Sequence, residues 1–416
     1  MLNKLFRQSD IPPEYRATFI HLYMDIGWFG LLSGSAINFL NVYAARLGAS
    51  ASQIGLLAAV SAVVSLLLAI PAGRWIEKRA VGKAVFWTSV LYRIGFALWI
   101  PLPWLFREQG QIWALIIISL LMGIPLIALS VGFNTLFASA VPAEYRAHVA
   151  GMRNVVLSIM FMLSSVLSGY ILKHSPFPAG YQIIFAIGFV GAAMSSFHLS
   201  FIRPLQGDLP PSAPQPVSAK ASASPRRDWR TSLRLDIWKT DYRRHLLVLL
   251  GFHIAQYIAL PLFSLYMVKN LRLTDDHIGI GTALFYLTVL LGSMQLRRIV
   301  QRLGHKRVTG YGVMGLALYP ILMALSTQVW HFYGFSILGG FAWALVGGAY
   351  ANYLLEHIPA DDRPAHLAWY NVVLNAAVLF GSLAGPAVAN GIGIEAALIA
   401  FGVLRLLSGI AILRWG

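Results

Sequence analysis

YAARLGASASQIG (Tyr43 to Gly55) runs through an apolar stretch into GRWIEKRAVGK (Gly73 to Lys83), and MVKNLRLTDDHIG (Met267 to Gly279) runs through another into RRIVQRLGHKR (Arg297 to Arg307). The pairs Ile54-Gly55 and Ile278-Gly279, with the basic turns after them, recur at an offset of 224 residues. A second pair, VPAEYR (Val141 to Arg146) with Asn154 and IPADDR (Ile358 to Arg363) with Asn371, recurs at 217. One polypeptide therefore carries one plan twice, as many transporters do.

Composition identifies the solvent. A chain of 416 residues that is 57% hydrophobic and 12% charged, with mean hydropathy +0.66, has too much apolar surface to hide inside a water-soluble fold. A bilayer-spanning helix needs about 20 apolar residues. Such stretches fall near 18–45, 53–75, 84–106, 111–138, 149–172, 181–202, 245–268, 277–296, 308–327, 329–355, 366–388 and 394–414. The runs are continuous, whereas the strands of a membrane barrel alternate every second residue, so the expected fold is an all-α membrane protein with twelve transmembrane helices in two pseudo-symmetric six-helix bundles. The expected organisation is an N-terminal bundle over 1–205, a cytoplasmic linker over 206–243 and a C-terminal bundle over 244–416.

The formal net charge of +16 reflects topology, not nucleic-acid binding. Only Arg46, Arg107, Lys173, Lys269 and Arg272 fall on one side of the spans, and Arg93 and Arg405 lie within them. That leaves 25 of the 32 Lys and Arg, Arg153 among them, on the other side. By the positive-inside bias that side, with both termini, is cytoplasmic, and the expected location is the cell (inner) membrane. Met1 to Arg16 is polar and shows no cleavable signal, so the first helix is expected to direct insertion. With no cysteine there is no disulfide, thiolate metal site or cysteine nucleophile.

Between the sixth and seventh spans, Asp208 to Pro225 is rich in Pro, Ser and Ala, the composition of a flexible connector. Arg226 to Arg244 is basic, with Trp229, Leu233 and Ile237 at four-residue steps beside Arg230 and Arg234. That pattern suits a helix lying on the inner membrane surface, or a solvated linker.

Gly73-x-x-x-Glu77-Lys78-Arg79 with Gly82-Lys83, and its echo Gln301-Arg302-Leu303-Gly304-His305-Lys306-Arg307, resemble the paired inner loops of the major facilitator superfamily. The Pro-Ala-Glu-Tyr-Arg and Pro-Ala-Asp-Asp-Arg segments at 142–146 and 359–363 resemble its other inner loops. Departures are Glu77 in place of the usual Asp, two extra residues before Gly82, Gln301 in the second copy, and a fourth helix without the arginine of many drug/proton antiporters. The resemblance implies a secondary transporter that moves a small organic solute by alternating access, with protons as the expected coupling ion. An uncoupled facilitator and a lipid or amphiphile flippase of the same fold are alternatives. An intramembrane enzyme is disfavoured, since no nucleophile-base set or metal-ligand set is recognisable, and no cofactor is expected.

Candidate site residues follow from charge, depth and the resemblance. Gly73, Glu77, Lys78, Arg79, Glu144, Arg146, Gln301, Arg302, Asp361 and Arg363 form a candidate cytoplasmic gate, because paired acids and bases can bond in one arrangement and part in another. Lys83, Arg297 and Arg298 read as topogenic charges. Asp25 and Arg93 lie deep in the first and third spans at similar depth, where an unpaired charge costs at least ~2.5–3.5 kcal/mol. They are expected to pair, in either a static bridge or a coupling site. Arg405 has no partner visible in the sequence. His21, one turn before Asp25, and His253 are candidate proton carriers, although an intramembrane histidine is more often a hydrogen-bonding core residue. The resemblance further implies a central cavity lined by the first, fourth, seventh and tenth helices of the chain. On these and the neighbouring eleventh stand Asp25, Trp28, Asn38, Asn134, Gln256, Tyr257, Trp343, Tyr350, Asn371 and Asn375. Gly381 and Gly385, followed by Pro386, suggest a close helix contact with a kink.

Overall fold

The computed structural model describes residues 12–205, 234–359 and 362–416. The described residues are almost entirely helical. Helix α1 runs as Pro13–Leu32, a π-helical turn over Ser33–Ile37, and Asn38–Arg46. It is followed by α2 (Ala51–Glu77), α3 (Val81–Trp99), α4 (Glu108–Ala140), α5 (Ala143–His174) and α6 (Ala179–Leu199). In the second half α7 covers Tyr242–Asn270, and one continuous segment, Asp275–Ala324, contains α8 and α9 either side of Gly304. Then come α10 (Val329–Glu356), α11 (Arg363–Ile392) and α12 (Ile394–Trp415).

Among the described residues, nine helices are long and apolar enough to cross a bilayer by length and composition. Dividing the fifty-residue segment at Gly304, where φ is 78° and ψ 160°, adds one crossing, and the interrupted α1 and the shorter α3 bring the number to the expected twelve. The eighth and ninth spans are therefore joined through a single non-helical residue, a glycine at positive φ, where the sequence suggested a loop of about ten.

The repeat is visible at atomic scale. Helix α2 begins at Ser50, whose Oγ accepts from Gln53 N at 3.2 Å while Gln53 Oε1 accepts from Ser50 N at 2.9 Å, a reciprocal cap. Thr274 precedes α8 at the equivalent place, 224 residues on. The turn before each cap contains a left-handed residue, Gly48 at φ 84° and Arg272 at φ 50°, again 224 apart. Glycine adopts that conformation freely and arginine does not, so the two copies share a backbone turn although only the first has the residue best suited to it.

The linker's pattern lies partly outside the described residues, which exclude Trp229, Arg230 and Leu233. Its end is docked on the second half. Ile237 is buried in a short 3-10 turn, and Arg234 bridges Asp236 at 3.0 Å and Asp362 at 2.7 Å, holding both acids below the usual carboxylate range. Ile237 thus packs against protein, not lipid.

Candidate functional site

A cavity of about 580 Å³ lies between the halves, within the usual range for small-molecule sites. The first half lines it with Asn38, Asn41 and Ser61, and the second with Gln256, Tyr257, Trp343, Asn375, Arg405 and several aromatic and aliphatic side chains. Both contributing first helices are irregular here. The π-helical turn of α1 ends immediately before Asn38, and α7 breaks after Tyr257, just before Pro261, which has no N–H to donate. Such departures from regular helix are tolerated in a membrane where the freed backbone lines a cavity or finds other partners.

The two halves are joined at the end of the molecule opposite the basic loops. Arg46 binds Asp275 at 3.0 Å and the Leu273 carbonyl at 2.5 Å; Lys269 donates to the Ala49 carbonyl at 3.1 Å; Lys173 binds Asp276 at 2.7 Å. Burial pushes the Asp276 carboxyl up, but hydrogen bonds from Lys173 and Thr274 outweigh it and hold it down at about 2. Below these charges the helices touch through small residues. A Cβ on Gly55 would stand 2.3 Å from the Ser382 carbonyl oxygen and 2.9 Å from Pro386, and one on Gly279 would stand 2.5 Å from the Ser165 carbonyl oxygen and 3.3 Å from Gly169 Cα. The offsets 224 and 217 convert the first contact into the second: Gly55 into Gly279, Ser165 into Ser382, and Gly169 into Pro386. Helix α11 also closes on α7, where a Cβ on Gly385 would stand 2.0 Å from the Ile258 carbonyl oxygen, in keeping with the small-residue pattern of Gly381 and Gly385.

Cavity and seal share a hydrogen-bond chain. Asn38 Nδ2 donates to Ser165 Oγ at 3.2 Å, and Ser165 Oγ donates to the Gly279 carbonyl at 3.2 Å. One amide on the cavity wall is therefore two bonds from one of the close backbone contacts between the halves.

At the basic-loop end the candidate gate residues stand apart. Glu77, Lys78, Arg79, Glu144, Arg146, Gln301, Arg302 and Arg363 are exposed and Gly73 partly so, and among the described residues none of them forms an ion pair. Arg79 lies over the Trp75 ring at 4.1 Å, and Arg146 donates to the carbonyls of Ala138 and Val141 within its own half. Asp361 lies outside the described residues. In the second half, His305 meets Glu356 at 2.7 Å.

Of the expected cavity residues, Asn38, Gln256, Tyr257, Trp343 and Asn375 line it. Asp25, Trp28, Asn134, Tyr350 and Asn371 are not among its lining residues. Asn134 is exposed on α4, the backbone of Trp28 meets α6 at Gly191, and the Asn371 carbonyl accepts from Asn375 at 2.8 Å. Asp25 is turned into the first bundle, 3% exposed, and bound by Arg153 at 3.1 Å, Arg93 at 3.7 Å and Ser195 at 2.5 Å. The expected Asp25–Arg93 pair is present, but the closer partner is Arg153, which sequence reading had assigned to the inner-loop charges. Its guanidinium is buried on α5, four residues inside the span drawn from 149, so the side chain is structural in position, not topogenic. His21 meets His198 at 3.0 Å on the α6 side. His253 Nε2 lies 2.9 Å from the Tyr350 hydroxyl and 3.1 Å from that of Tyr370, tying α7 to α10 and α11 one turn from Tyr257.

The sequence shows no partner for Arg405 and no gate role for Arg46, Lys173, Lys269, Asp275 or Asp276. Arg405 is 1% exposed and donates to the carbonyls of Ala255, Gln256 and Leu316 at 3.0–3.4 Å. The acids before Ile278 were present in the repeat and could have been read as a gate, because they face an arginine three residues before the first copy's Ala49.

Two helical halves about a central cavity closed at one end have the form of a solute carrier. The family model described as Major Facilitator Superfamily matches residues 26–252 and 245–416, and the chain belongs to that family. It is a multi-pass membrane transport protein, not an enzyme. Among curated relatives, a cis,cis-muconate transport protein of Acinetobacter baylyi (strain ATCC 33305 / BD413 / ADP1) is 21% identical over 256 residues, 59% of this chain and 58% of that protein. The chain spans less than two thirds of the length of the curated relatives it matches. Among solved structures, a bacterial homologue of the iron transporter ferroportin in an inward-facing state superposes with a TM-score of 0.72 at 15% identity, covering 97% of this chain and 99% of that one. A D-xylose-proton symporter gives 0.71 at 17% identity, covering 96% and 97%.

Proposed function

We propose that the protein moves a small organic solute across the cell membrane by alternating access, and that solute movement is coupled to protons. The observation that carries the reading is a cavity between two repeated halves, mostly apolar with a few polar groups, whose seal lies at one end only. With the basic loops on the cytoplasmic side, as their charge favours, the arrangement is inward-facing: Arg46, Asp275, Lys173 and Asp276 close the outside while the acids and bases at 77–79 and 144–146 are released. In the opposite state those inner charges pair across the loops and the outer bridges open. The Asn38–Ser165–Gly279 chain links the two events, since a solute that takes the Asn38 amide weakens the hold of Ser165 on α8.

His253 is the proposed proton carrier. It is the imidazole buried between α7, α10 and α11, and its two tyrosine partners supply a hydrogen-bonded path next to the cavity. An imidazole in contact with water changes charge in the physiological range, so the ring would take up a proton when alternating access wets it and give it up when it is buried again. Asp25, held by two guanidinium groups, is proposed as a clamp within the first bundle. In proteoliposomes, His253→Gln is expected to abolish pH-driven accumulation of substrate while retaining substrate exchange, which needs no net proton movement. Full accumulation by a folded His253→Gln protein, with proton flux still following substrate, removes His253 from the mechanism.

The outer bridges give a smaller effect. Each partly exposed pair contributes about 0–1 kcal/mol, so Arg46→Ala with Lys173→Met is expected to raise the outward-open population several-fold. Spin-label distances across the outer ends of α5 and α8 measure it, and an unchanged distribution means the bridges do not bias closure. Because Asp276 titrates below an ordinary carboxylate, its bridge to Lys173 is fully formed at neutral pH and is lost only as pH falls toward about 2.

A further inference from the structure

We propose that Arg405 and Gln256 form an anion subsite in the cavity wall, and that the transported solute is an organic acid that places its carboxylate there. The inference rests on the carrier reading above and specifies its substrate class. Among the described residues the cavity lining contains Arg405 and no aspartate, glutamate or lysine, so the described wall carries one net positive charge. Among the described residues, every hydrogen bond that guanidinium donates goes to a neutral carbonyl: Ala255 accepts from Nε and Nη2, Gln256 from Nη2, and Leu316 from Nη1. These are four of the five N–H groups an arginine offers. Carbonyl dipoles orient and partly solvate the cation but bring no compensating charge, and a buried guanidinium with no anion costs several kcal/mol.

The carbonyls of Ala255 and Gln256 are available because α7 breaks between Tyr257 and Leu260, where the regular bonds from four residues on are interrupted. Arg405 thus stabilises the break and, in doing so, holds its charge at the cavity. Beside it, the Gln256 side chain is buried with its Oε1 lacking any hydrogen-bond partner among the described residues. A buried amide with an orphan atom at a cavity wall is a group waiting for a ligand. Turning about its last bond, it presents its NH2 to the same carboxylate. The rest of the wall suits an organic body better than an inorganic anion: Phe263, Phe285, Phe332 and Trp343 supply ring faces, and Asn38 and Asn375 supply polar contacts across the cavity. One cation matches one carboxylate, carried on an aromatic or unsaturated frame.

The test compares acids with their own amides, which share shape but not charge. Purified full-length protein in detergent is titrated with benzoate and benzamide, and with sorbate and sorbamide, following thermal unfolding. The carboxylates are expected to raise the unfolding temperature saturably and the amides to leave it unchanged. Arg405→Gln is expected to weaken carboxylate binding tenfold or more, the scale of a lost charge-assisted contact, while Arg405→Lys retains part of it. Because Arg405→Gln also uncaps α7 and can fail to fold, the acid-against-amide comparison on the unaltered protein decides independently. Equal stabilisation by acid and amide, no stabilisation by any acid, or wild-type affinity in a folded Arg405→Gln protein overturns the subsite. Counterflow in proteoliposomes separates this from the carrier reading. Counterflow of a neutral solute with no acid binding removes the subsite and leaves the carrier; acid binding with no counterflow of that acid removes the carrier reading and leaves the site.

Discussion

Gly279→Leu is expected to remove most of the population whose halves meet at the end away from the basic loops, and with it most transport. A side chain at 279 has no space in the present arrangement, because its first carbon would lie 2.5 Å from the Ser165 carbonyl oxygen. The obstacle is helix backbone, which cannot rotate aside as a side chain can. Overpacking of this kind costs about 1–3 kcal/mol, and a cost borne by one state alone shifts a two-state balance by about 5- to 150-fold. Spin labels at Lys173 and Arg272 should report a wider separation, and transport should fall in parallel. Gly251→Ala is the control, since a Cβ there meets nothing within 4 Å. Unchanged distances and transport in Gly279→Leu would mean that α5 and α8 are not the seal.

Asp25→Asn is expected to cost about 3–5 kcal/mol of stability, because it strands two buried cations instead of removing a bridge. Arg93 and Arg153 are 5% and 8% exposed, and their remaining partners are neutral: the hydroxyls of Ser89 and Ser196 for Arg93, the Leu22 carbonyl and the Phe133 ring for Arg153. Thermal unfolding in detergent checks the loss. A paired change, Asp25→Leu with Arg153→Met, should recover part of it by removing a charge along with the acid. A double-mutant cycle then isolates the interaction from the cost of each substitution. Wild-type melting in Asp25→Asn together with loss of pH-driven accumulation would make Asp25 the coupling residue and not a clamp.

The repeat was legible because it is written in residues that backbone geometry requires. Ile54-Gly55 and Ile278-Gly279 stand out in the sequence, and the structure supplies the reason: each glycine admits a neighbouring helix's carbonyl at a distance no side chain allows. The twelve spans followed from length and hydropathy, with the α8–α9 joint the main departure. Helix faces were not legible. Asp25, Trp28 and Asn134 lie at plausible depths on plausible helices, yet in a bilayer the lipid-facing, bundle-facing and cavity-facing sides of a helix are all apolar, so periodicity does not separate them. Arg153 was misplaced for a related reason. It follows a basic inner loop closely enough to count with it, and only the packing of α1 against α5 shows that it points at a carboxylate. The partners of Arg405 were invisible because they are main-chain carbonyls, exposed by a break that sequence alone did not locate.

The contacts of Gly55 with Ser382 and of Gly279 with Ser165 have the form of an isologous interface, in which position i meets j and the counterpart of j meets the counterpart of i. That is the geometry of a two-fold homodimer, here realised by one covalent chain. Unlike a homodimer, the chain specifies the fit twice, so the two copies are free to differ, as Gly169 and its counterpart Pro386 do. The two halves meet through reciprocal contacts, as equals and not as a scaffold and its cover.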